Sequence, residues 1–474
     1  MIIDRYDPDP SFDKWRRRLG TALNPELEEL DKLLDDEKLF ELFKQDFQRR
    51  YPHSLSTGRH STPVEVLIRG LTLKHAQGWT YEELEEALQN NVMVRKFCRL
   101  YFHPAPDDTV WIRWDNVLKP STLEALNGCV VETARRLKVT RGRKLRTDTT
   151  VVETNIHYPT DSSLLADGVR VISRLVRRAK HLVGAMKNRV EVSKPLFRGR
   201  IQSVKVRIKT LLSYAKAKTQ AGKARFQQAY AELVDIAKSS VSQAQALVEA
   251  LGHIPSKVSG HLTKQVQTLS DRLSEFLPRV QQVITQTTRR VLSQQEVPSA
   301  EKLVSLFEPH TVIISKEKAG QSVQFGRKVK LDEVDGGIIS HYTIEQDNPN
   351  DSTLFCESLD YHQECFGRPP KLVAADRGFW SSDNEKAALQ AGVKKVALPK
   401  AGKRSVERTQ HEHQPWFRKA HRFRAGIEGR ISVVKRNQLL DRCLNHGEEG
   451  FERWVGWGVM GANLRKIAQT LTTR

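Results

Sequence analysis

Two stripes of residues run through the stretch from residue 421 to residue 436, one charged and one apolar. The charged stripe comprises His421, Arg424, Glu428 and Lys435. Counted from the glutamate these positions are −7, −4, 0 and +7, so in a helix they fall within about 60° of one another. The apolar stripe beside it comprises Phe423, Ile427, Ile431 and Val434. Because the apolar stripe can pack on a core, the charged one can present a single carboxylate flanked by cations, which suits an enzyme that handles a metal ion and a polyanion.

Two further carboxylates lie on segments that read as strands. Asp376 ends an apolar run, with Arg377 directly after it, so we expect it at the carboxyl end of a buried strand. Asp148 lies in the middle of the β-branched run 143–152. With Glu428 these make three carboxylates on separate elements. Their convergence would suit two Mg²⁺ ions, which take oxygen ligands and, about 3.5 to 4 Å apart, can clamp the attacking and leaving oxygens of a phosphoryl transfer.

Each of these carboxylates also has a simpler explanation. Asp376 would cap the turn that follows its strand, and Asp148 would be a charge at a strand edge. Glu428 would pair with Arg424 and Lys435 on a solvated helix face. Spacing alone leaves both interpretations open.

A run rich in β-branched residues at 143–152 and further apolar runs after the helical segment predict the strands that carry these side chains. The predicted strands are 143–152, 311–315, 322–331, 337–344, 371–376 and 394–398, with a helix at 384–391 between the last two. Turns are predicted at Ala319-Gly320 and at Asp335-Gly336-Gly337. Alternation of strand and helix implies a mixed sheet with helices packed on it.

Residues 26–130 have helical patterns. Thr62 and Pro63 open one predicted helix, as the cap and the first helical residue. After a short glycine-containing turn, Thr80 caps a second helix, with Glu83 at capping-box spacing. The pair indicates a helix-turn-helix, but any helical hairpin has the same pattern, so DNA binding here is one of two open alternatives.

Residues 162–305 form a basic segment with helical spacing of apolar residues. Between residues 171 and 300 there are roughly 23 Lys and Arg against 7 Asp and Glu. We interpret the segment as long helices that form a basic insertion, with Arg174, Arg177 and Arg178 as candidate DNA contacts. The alternative is a helical bundle with ordinary solvated faces.

The composition limits the class of protein. With 474 residues the chain is long enough for about two to four domains, and 39% hydrophobic with 28% charged residues is typical of a soluble globular protein. No long apolar run or signal-peptide core occurs, so we expect a cytoplasmic protein without membrane association. The net charge of +21 predicts a polyanionic partner, nucleic acid first. Five scattered cysteines without a CxxC pair argue against a disulfide scaffold or a zinc ribbon.

Three blocks of the chain resemble the catalytic blocks of bacterial insertion-sequence transposases of the DDE class. The first runs from Thr147 to Ser162 and contains Asp148. The second runs from Ala375 to Trp380 and contains Asp376. The third is similar to the Tyr-x2-Arg-x3-Glu-x6-Lys helix of the ISNCY-like group, and here it is His421-x2-Arg424-x3-Glu428-x6-Lys435.

Two more segments are similar to parts of these enzymes. Residues 61–100 resemble their amino-terminal transposase domain, and residues 461–467 resemble their carboxyl end. One position departs from the family pattern, because His421 stands where many relatives have tyrosine. An imidazole titrates near neutral pH and a phenol does not, so the role of this position stays open.

The resemblance implies a ribonuclease H-like α/β fold in which Asp148, Asp376 and Glu428 bind two Mg²⁺ ions, or Mn²⁺ in their place. It implies an endonuclease that cuts double-stranded DNA at terminal inverted repeats and joins the 3′ ends to target DNA. The expected assembly is a homodimer on DNA, in the nucleoid of the cytoplasm. Cations expected to contact DNA near the carboxylates are His421, Arg424, Lys435 and Arg377.

Four regions follow from this interpretation. They are a helical, DNA-binding domain at 1–135, a catalytic domain at 138–161 plus 306–445, the basic helical insertion at 162–305 and a helical tail at 446–474. Two rival functions remain: a non-catalytic DNA-binding or architectural protein derived from a transposase, and a metal-dependent nuclease of the same fold that cuts without joining.

Overall fold

A computed structural model of the protein describes residues 1–49, 58, 60–185, 194–252, 260–318 and 321–474. These residues form two compact units. The sheet unit comprises Met1–Asn155 and Gly326–Arg474, and the helical unit comprises Ile156–Phe325. None of the described helices has an apolar stretch of the length that a membrane crossing needs. The finer domain boundaries expected from the sequence stay predictions.

Helices make up the part of the sheet unit that precedes its first strand. They are α1 (Pro10–Arg18), α2 (Pro25–Leu33), α3 (Glu37–Arg49), α4 (Val64–Gln77), α5 (Tyr81–Asn90), α6 (Val92–Phe97), α7 (Asp108–Asp115) and α8 (Pro120–Arg136). The capping box is confirmed, since the Thr80 hydroxyl accepts from the backbone N–H of Glu83 and the Glu83 carboxylate accepts from that of Thr80. The start of α4 differs from the prediction by one residue, because Pro63 is the N-cap.

The helical unit contains the long helices that the sequence predicts. They are α9 (Asp161–Ala185), α10 (Ile201–Tyr214), α11 (Gln220–Gly252) and α12 (Gly260–Thr287). Their apolar faces share a core, in which Leu165, Leu233 and Leu273 are fully buried. Burial of these faces leaves the basic side chains on the outer faces of the helices.

The strands are β1 (Lys144–Thr154), β2 (Val312–Lys318), β3 (Gln321–Val334), β4 (Ile338–Ile344), β5 (Leu372–Ala375), β6 (Lys395–Ala397) and β7 (Arg442–Cys443). The main strand order is β2-β3-β1-β5-β6, while β4 pairs with β3 and β7 with β1. β3 is antiparallel to β1 and β4, whereas β5 runs parallel to β1 and β6 parallel to β5. The predicted mixed sheet and its strands are therefore confirmed. The predicted turn at Ala319-Gly320 lies outside the described residues.

The remaining helices are α13 (Phe355–Phe366), α14 (Ser382–Gln390), α15 (Val406–His413), α16 (Pro415–Asn437) and α17 (Glu448–Thr472). α16 packs on β1 and β5. Its apolar stripe faces the sheet, since Ile427 and Val434 are fully buried and Phe423 packs with Ala374 of β5. Of the charged stripe, His421 and Glu428 are exposed, whereas Arg424 and Lys435 are partly buried against the sheet.

α17 lies in the core of the sheet unit. It packs against α2, α4 and α8, and its Trp457, Met460 and Leu464 are buried. Asn463 in the middle of α17 accepts from the backbone N–H of Ile339 and donates to the carbonyl of the same residue. These two hydrogen bonds join α17 to the edge of β4, in place of the backbone bonds that a neighbouring strand would form.

Candidate active site

Asp148 and Asp376 are neighbours because their strands are parallel neighbours. Thr147 of β1 is aligned with Ala375 at the end of β5, so the next residue of each strand is an aspartate. β5 ends at this point, and Asp376 turns into the loop that follows. The pair thus lies at the carboxyl end of β5, where sheets of this kind bind ligands.

One guanidinium joins the three predicted catalytic carboxylates. Nη2 of Arg424 lies 2.9 Å from Oδ2 of Asp148 and 3.2 Å from Oδ2 of Asp376. Nη1 of the same side chain donates to Oε1 of Glu428 at 2.7 Å. Arg424 therefore sits between carboxylates from β1, the end of β5 and α16. The catalytic roles of these residues stay predictions.

The three carboxylates differ in solvent exposure. The side chain of Asp148 is 13% exposed, that of Asp376 42% and that of Glu428 64%. Asp148 is consequently the most buried of the three and lies at the base of the cluster. A ligand from solvent can reach Asp376 and Glu428 without any change in the core.

The surroundings of Asp148 change its acidity. Burial is the largest influence and raises the pKa of the Asp148 carboxyl to about 6. Arg424 and the backbone N–H of Thr149 act in the other direction, whereas the charges of Asp376 and Asp351 add to the rise in pKa. A buried carboxyl whose pKa is raised by neighbouring negative charges is typical of functional sites. The positive charge around Asp148 does not balance the negative charge there.

Two contacts that the simpler explanations of the carboxylates predict are also present. Oδ1 of Asp376 accepts from the backbone N–H of Gly378, so this aspartate does cap its turn. Glu428 does form an ion pair with Arg424 one helical turn away. Neither contact explains why Asp148 and Asp376 share the guanidinium of a residue 276 and 48 positions away in the chain.

Asp351 is a fourth carboxylate beside the cluster, and no sequence pattern predicted it. Each of its carboxylate oxygens lies 3.3 Å from Oγ1 of Thr149, and Oδ1 accepts from Nζ of Lys328 at 3.0 Å. A Cβ at Gly378 would lie 3.1 Å from Oδ2 of Asp351 and 3.3 Å from Oδ1 of Asp376. The two aspartates therefore flank the same glycine.

A second face of α16 packs against a buried ion-pair network. Glu333 accepts from Nε and Nη2 of Arg146 at 2.9 and 2.7 Å, and Nε of Arg430 lies 3.6 Å from the same carboxylate. Nη1 of Arg146 donates to the carbonyl of Phe423 on α16. A Cβ at Gly426 would overlap Nη1 of Arg146, so this glycine lets the helix approach. The network fixes α16 on the sheet and thereby positions the charged stripe.

The residues predicted to bind DNA have different surroundings. Nζ of Lys435 donates to the carbonyl of Val151 at 2.7 Å and lies 3.3 Å from Oδ1 of Asp441, so its charge is engaged within the protein. His421 and Arg377 are exposed. The exposed cations on α9 of the helical unit include Arg174, Arg177 and Arg178.

The three predicted ligands suit a hard divalent cation by their chemistry. Asp148, Asp376 and Glu428 offer carboxylate oxygens, which Mg²⁺ and Mn²⁺ prefer, and they already share one cation, the guanidinium of Arg424. As they stand, no three potential ligands in the described ranges lie close enough together to hold a metal ion. The guanidinium of Arg424 contacts an oxygen of each of the three carboxylates.

A family model matches the amino-terminal part of the chain. Residues 17–116 match the model described as Transposase domain (DUF772), a range that runs from the end of α1 into the residue after α7. No curated protein and no solved structure matches the chain. This part of the sheet unit is thus similar to a transposase domain.

Proposed function

We propose that the protein is a DNA transposase that cuts at the ends of an insertion sequence and joins the 3′ ends to target DNA by metal-dependent phosphoryl transfer. The observation that carries this proposal is the convergence of Asp148, Asp376 and Glu428 on Arg424. The transposase-domain match at 17–116 and the net charge of +21 support it. The mixed sheet, with Asp148 on a central strand, supports the ribonuclease H-like fold that the resemblance implies.

The side chains of the cluster have separate roles in this proposal. Asp148 holds a fixed position on β1, while Asp376 and Glu428 are open to solvent and complete the ligand set. Two Mg²⁺ or Mn²⁺ ions bound there would stabilise the attacking and leaving oxygens of the phosphoryl transfer. Before DNA arrives, Arg424 offsets the repulsion among the carboxylates. A phosphate can then take over the guanidinium through two parallel hydrogen bonds.

DNA would extend beyond the cluster in both directions along the charged stripe. His421, Arg377 and Lys435 would contact the backbone near the scissile phosphate, with Lys435 exchanging its contact with Asp441 for a phosphate. Two element ends must be held together for joining, so we propose that the protein acts as a homodimer on nucleoid DNA.

The decisive experiment uses a plasmid that carries the gene's own flanking DNA on both sides of a marker. We expect the purified protein to cut at the flanks and to insert the marker into a second plasmid in Mg²⁺, and to do neither in EDTA. Asp383→Ala is a matched control, because that side chain is 95% exposed on α14 and should leave activity unchanged. DNA binding without cleavage would favour the architectural rival, and cleavage without joining the nuclease.

The basic surface of α9 is tested separately by the salt dependence of DNA affinity. Replacing Arg174, Arg177 and Arg178 with glutamine should weaken binding to many sequences alike. It should also flatten the slope of log K against log salt by up to about 0.9 for each phosphate that the variant no longer neutralises. The triple Arg→Lys variant keeps the charge and should keep the slope. An unchanged slope for the glutamine variant would assign this face of α9 to packing or dimerisation.

A further inference from the structure

A half-enclosed cavity of about 410 Å³ lies in the sheet unit, away from the carboxylate cluster. It forms where the turn after α4, the end of α7 and the segment after α16 meet. Its walls include the aromatic rings of Trp79, Tyr81 and Trp454. A concave site of this size with aromatic walls is typical of binding sites for small planar molecules.

Lys74 places a buried positive charge in the wall of this cavity. The residue is 2% exposed, and its Nζ lies 4.3 Å from the centre of the Tyr81 ring and 5.2 Å from that of Trp454. Within the described residues Nζ has no ion pair, and it forms a hydrogen bond with Nε2 of His75 at 3.5 Å. Burial lowers the pKa of Lys74 to about 8, so the group is still mostly an ammonium at neutral pH. The charges of Asp115, Glu82 and Glu83 attract this ammonium without forming an ion pair with it, so an anionic ligand in direct contact would stabilise it further.

Asn445 supplies a second donor in the same wall. Its Nδ2 is buried and has no hydrogen-bond partner among the residues that the structure describes. The Tyr81 hydroxyl in the same wall donates to Asp115 at 2.8 Å and forms no hydrogen bond with Nδ2 of Asn445. Between its aromatic faces the cavity thus has a buried ammonium with one long hydrogen bond and an amide donor without an acceptor.

We propose that this cavity binds a small planar organic anion of the aromatic carboxylate class. The ring of the ligand would pack between the aromatic walls, and its carboxylate would accept from Nζ of Lys74 and Nδ2 of Asn445. Glu82 at the exposed rim favours a ligand whose charge points inward, toward Lys74. This inference stands whether or not the chain is a transposase.

The cavity lies next to the carboxyl end of α16, the helix that carries part of the carboxylate cluster. Leu439, which lines the cavity, follows the last residue of α16 by two positions. The turn at Gly78 packs directly on that end of α16, since a Cβ there would overlap the carbonyl of Asn437. An occupied cavity would therefore stabilise the carboxyl end of the helix that carries Arg424 and Glu428.

Binding can be measured on the full chain with 2-naphthoate as the probe, by thermal unfolding and by tryptophan fluorescence. We expect saturable stabilisation by 2-naphthoate, and binding about tenfold weaker or worse for the neutral 2-naphthamide and for cyclohexanecarboxylate, which keeps the charge but lacks a planar ring. Lys74→Met preserves the aliphatic stem and should remove the preference for the anion. Lys371→Met changes an exposed lysine of the same unit and should behave as the wild type.

Asn445→Ala keeps the test decisive if Lys74→Met does not fold, because it removes the second donor from a partly exposed position and should also weaken 2-naphthoate binding. Equal binding of acid and amide, or wild-type binding by both variants, would overturn the proposal. Binding of single-stranded oligothymidylate that depends on Lys74, with no response to 2-naphthoate, would overturn it too. That result would assign the cavity to an unstacked base of DNA.

Discussion

Two arginines next to opposite sides of the contact between α16 and the sheet, Arg424 on α16 and Arg146 on β1, pair with carboxylates in different surroundings. On one face Arg424 contacts Asp148, Asp376 and Glu428, and the last of these is 64% exposed. On the other face Arg146 contacts Glu333, whose side chain is 1% exposed. The first guanidinium is shared among three acids, of which Asp376 and Glu428 are open to water, whereas the second donates from two nitrogens to one buried acid.

This difference separates a fixed ion pair from an exchangeable one. A buried carboxylate with two donors from one guanidinium is costly to separate, because its loss leaves an uncompensated charge in the core. Ion pairs near solvent contribute little to stability, so a phosphate or a metal ion can replace them at small cost. We therefore expect the ion pair of Arg146 with Glu333 to fix the position of α16. Arg424, in contrast, should exchange its carboxylate contacts for contacts with a phosphate.

The largest expected effect comes from removing an acid on the exchangeable face. Asp148→Ala, Asp376→Ala and Glu428→Ala should each reduce cleavage and joining by about a thousandfold or more, as losses from other catalytic groups do. DNA affinity should stay close to wild type, because the basic surface remains. Single-turnover assays with pre-bound plasmid separate the two quantities. A variant that still cuts at nearly the normal rate would remove its residue from the site.

The second prediction breaks the fixed pair. Glu333→Ala leaves Arg146 buried without its carboxylate and should lower the free energy of unfolding by about 3–5 kcal/mol. Glu428→Ala is the matched control on the exchangeable face, and it should change stability by no more than about 0.5 kcal/mol. Urea titrations followed by circular dichroism measure both. Equal losses of stability would show that the two faces do not differ as proposed.

The third prediction concerns competition between Arg424 and a metal ion. Arg424→Ala leaves the carboxylates without their shared cation, so Mn²⁺ should bind about tenfold more tightly than to the wild type. Arg424→Lys should lie between the two, since one ammonium cannot contact three acids as a guanidinium does. Calorimetric titration of the DNA-free protein with Mn²⁺ gives the affinities. Weaker binding by Arg424→Ala would mean that the guanidinium assists the metal instead of excluding it.

The smallest expected effect compares two glycines of α16. Gly429→Ala meets no atom within 4 Å and should stabilise the helix by about 0.5–1 kcal/mol. Gly426→Ala gains the same helix propensity but displaces Arg146 from its buried pair, so it should destabilise the protein by roughly 1–3 kcal/mol. Thermal unfolding of both variants is sufficient, and stabilisation by both would show that Arg146 adapts freely.

Local patterns predicted much of the sheet unit. Its strands β1 and β4 are rich in β-branched residues, and glycine, proline or asparagine stands next to the ends of its later strands. The stripes on α16 were recognisable because a helix repeats its faces every 3.6 residues. Such signals extend over a few residues, so they identify elements but not the partners of those elements.

The contacts that define the cluster are not local. Only Arg424 and Glu428 lie within one helical turn of each other, and nothing in the spacing links that pair to Asp148 or Asp376. Asp351 follows a turn-forming stretch at 348–350 and has no distinguishing pattern. The buried position of α17 did have a signal, because a helix that is apolar on all sides is a core helix. Its similarity to the end of a transposase predicted only a tail there.

The core position of α17 determines when, during synthesis of the chain, the core of the sheet unit can form. Residues 448–472 are synthesised after α2, α4 and α8, the helices against which α17 packs. While the ribosome still holds this segment, those earlier helices lack the side chains that fill their shared core, including Trp457. The core of the sheet unit can therefore form completely only after α17 has emerged from the ribosome.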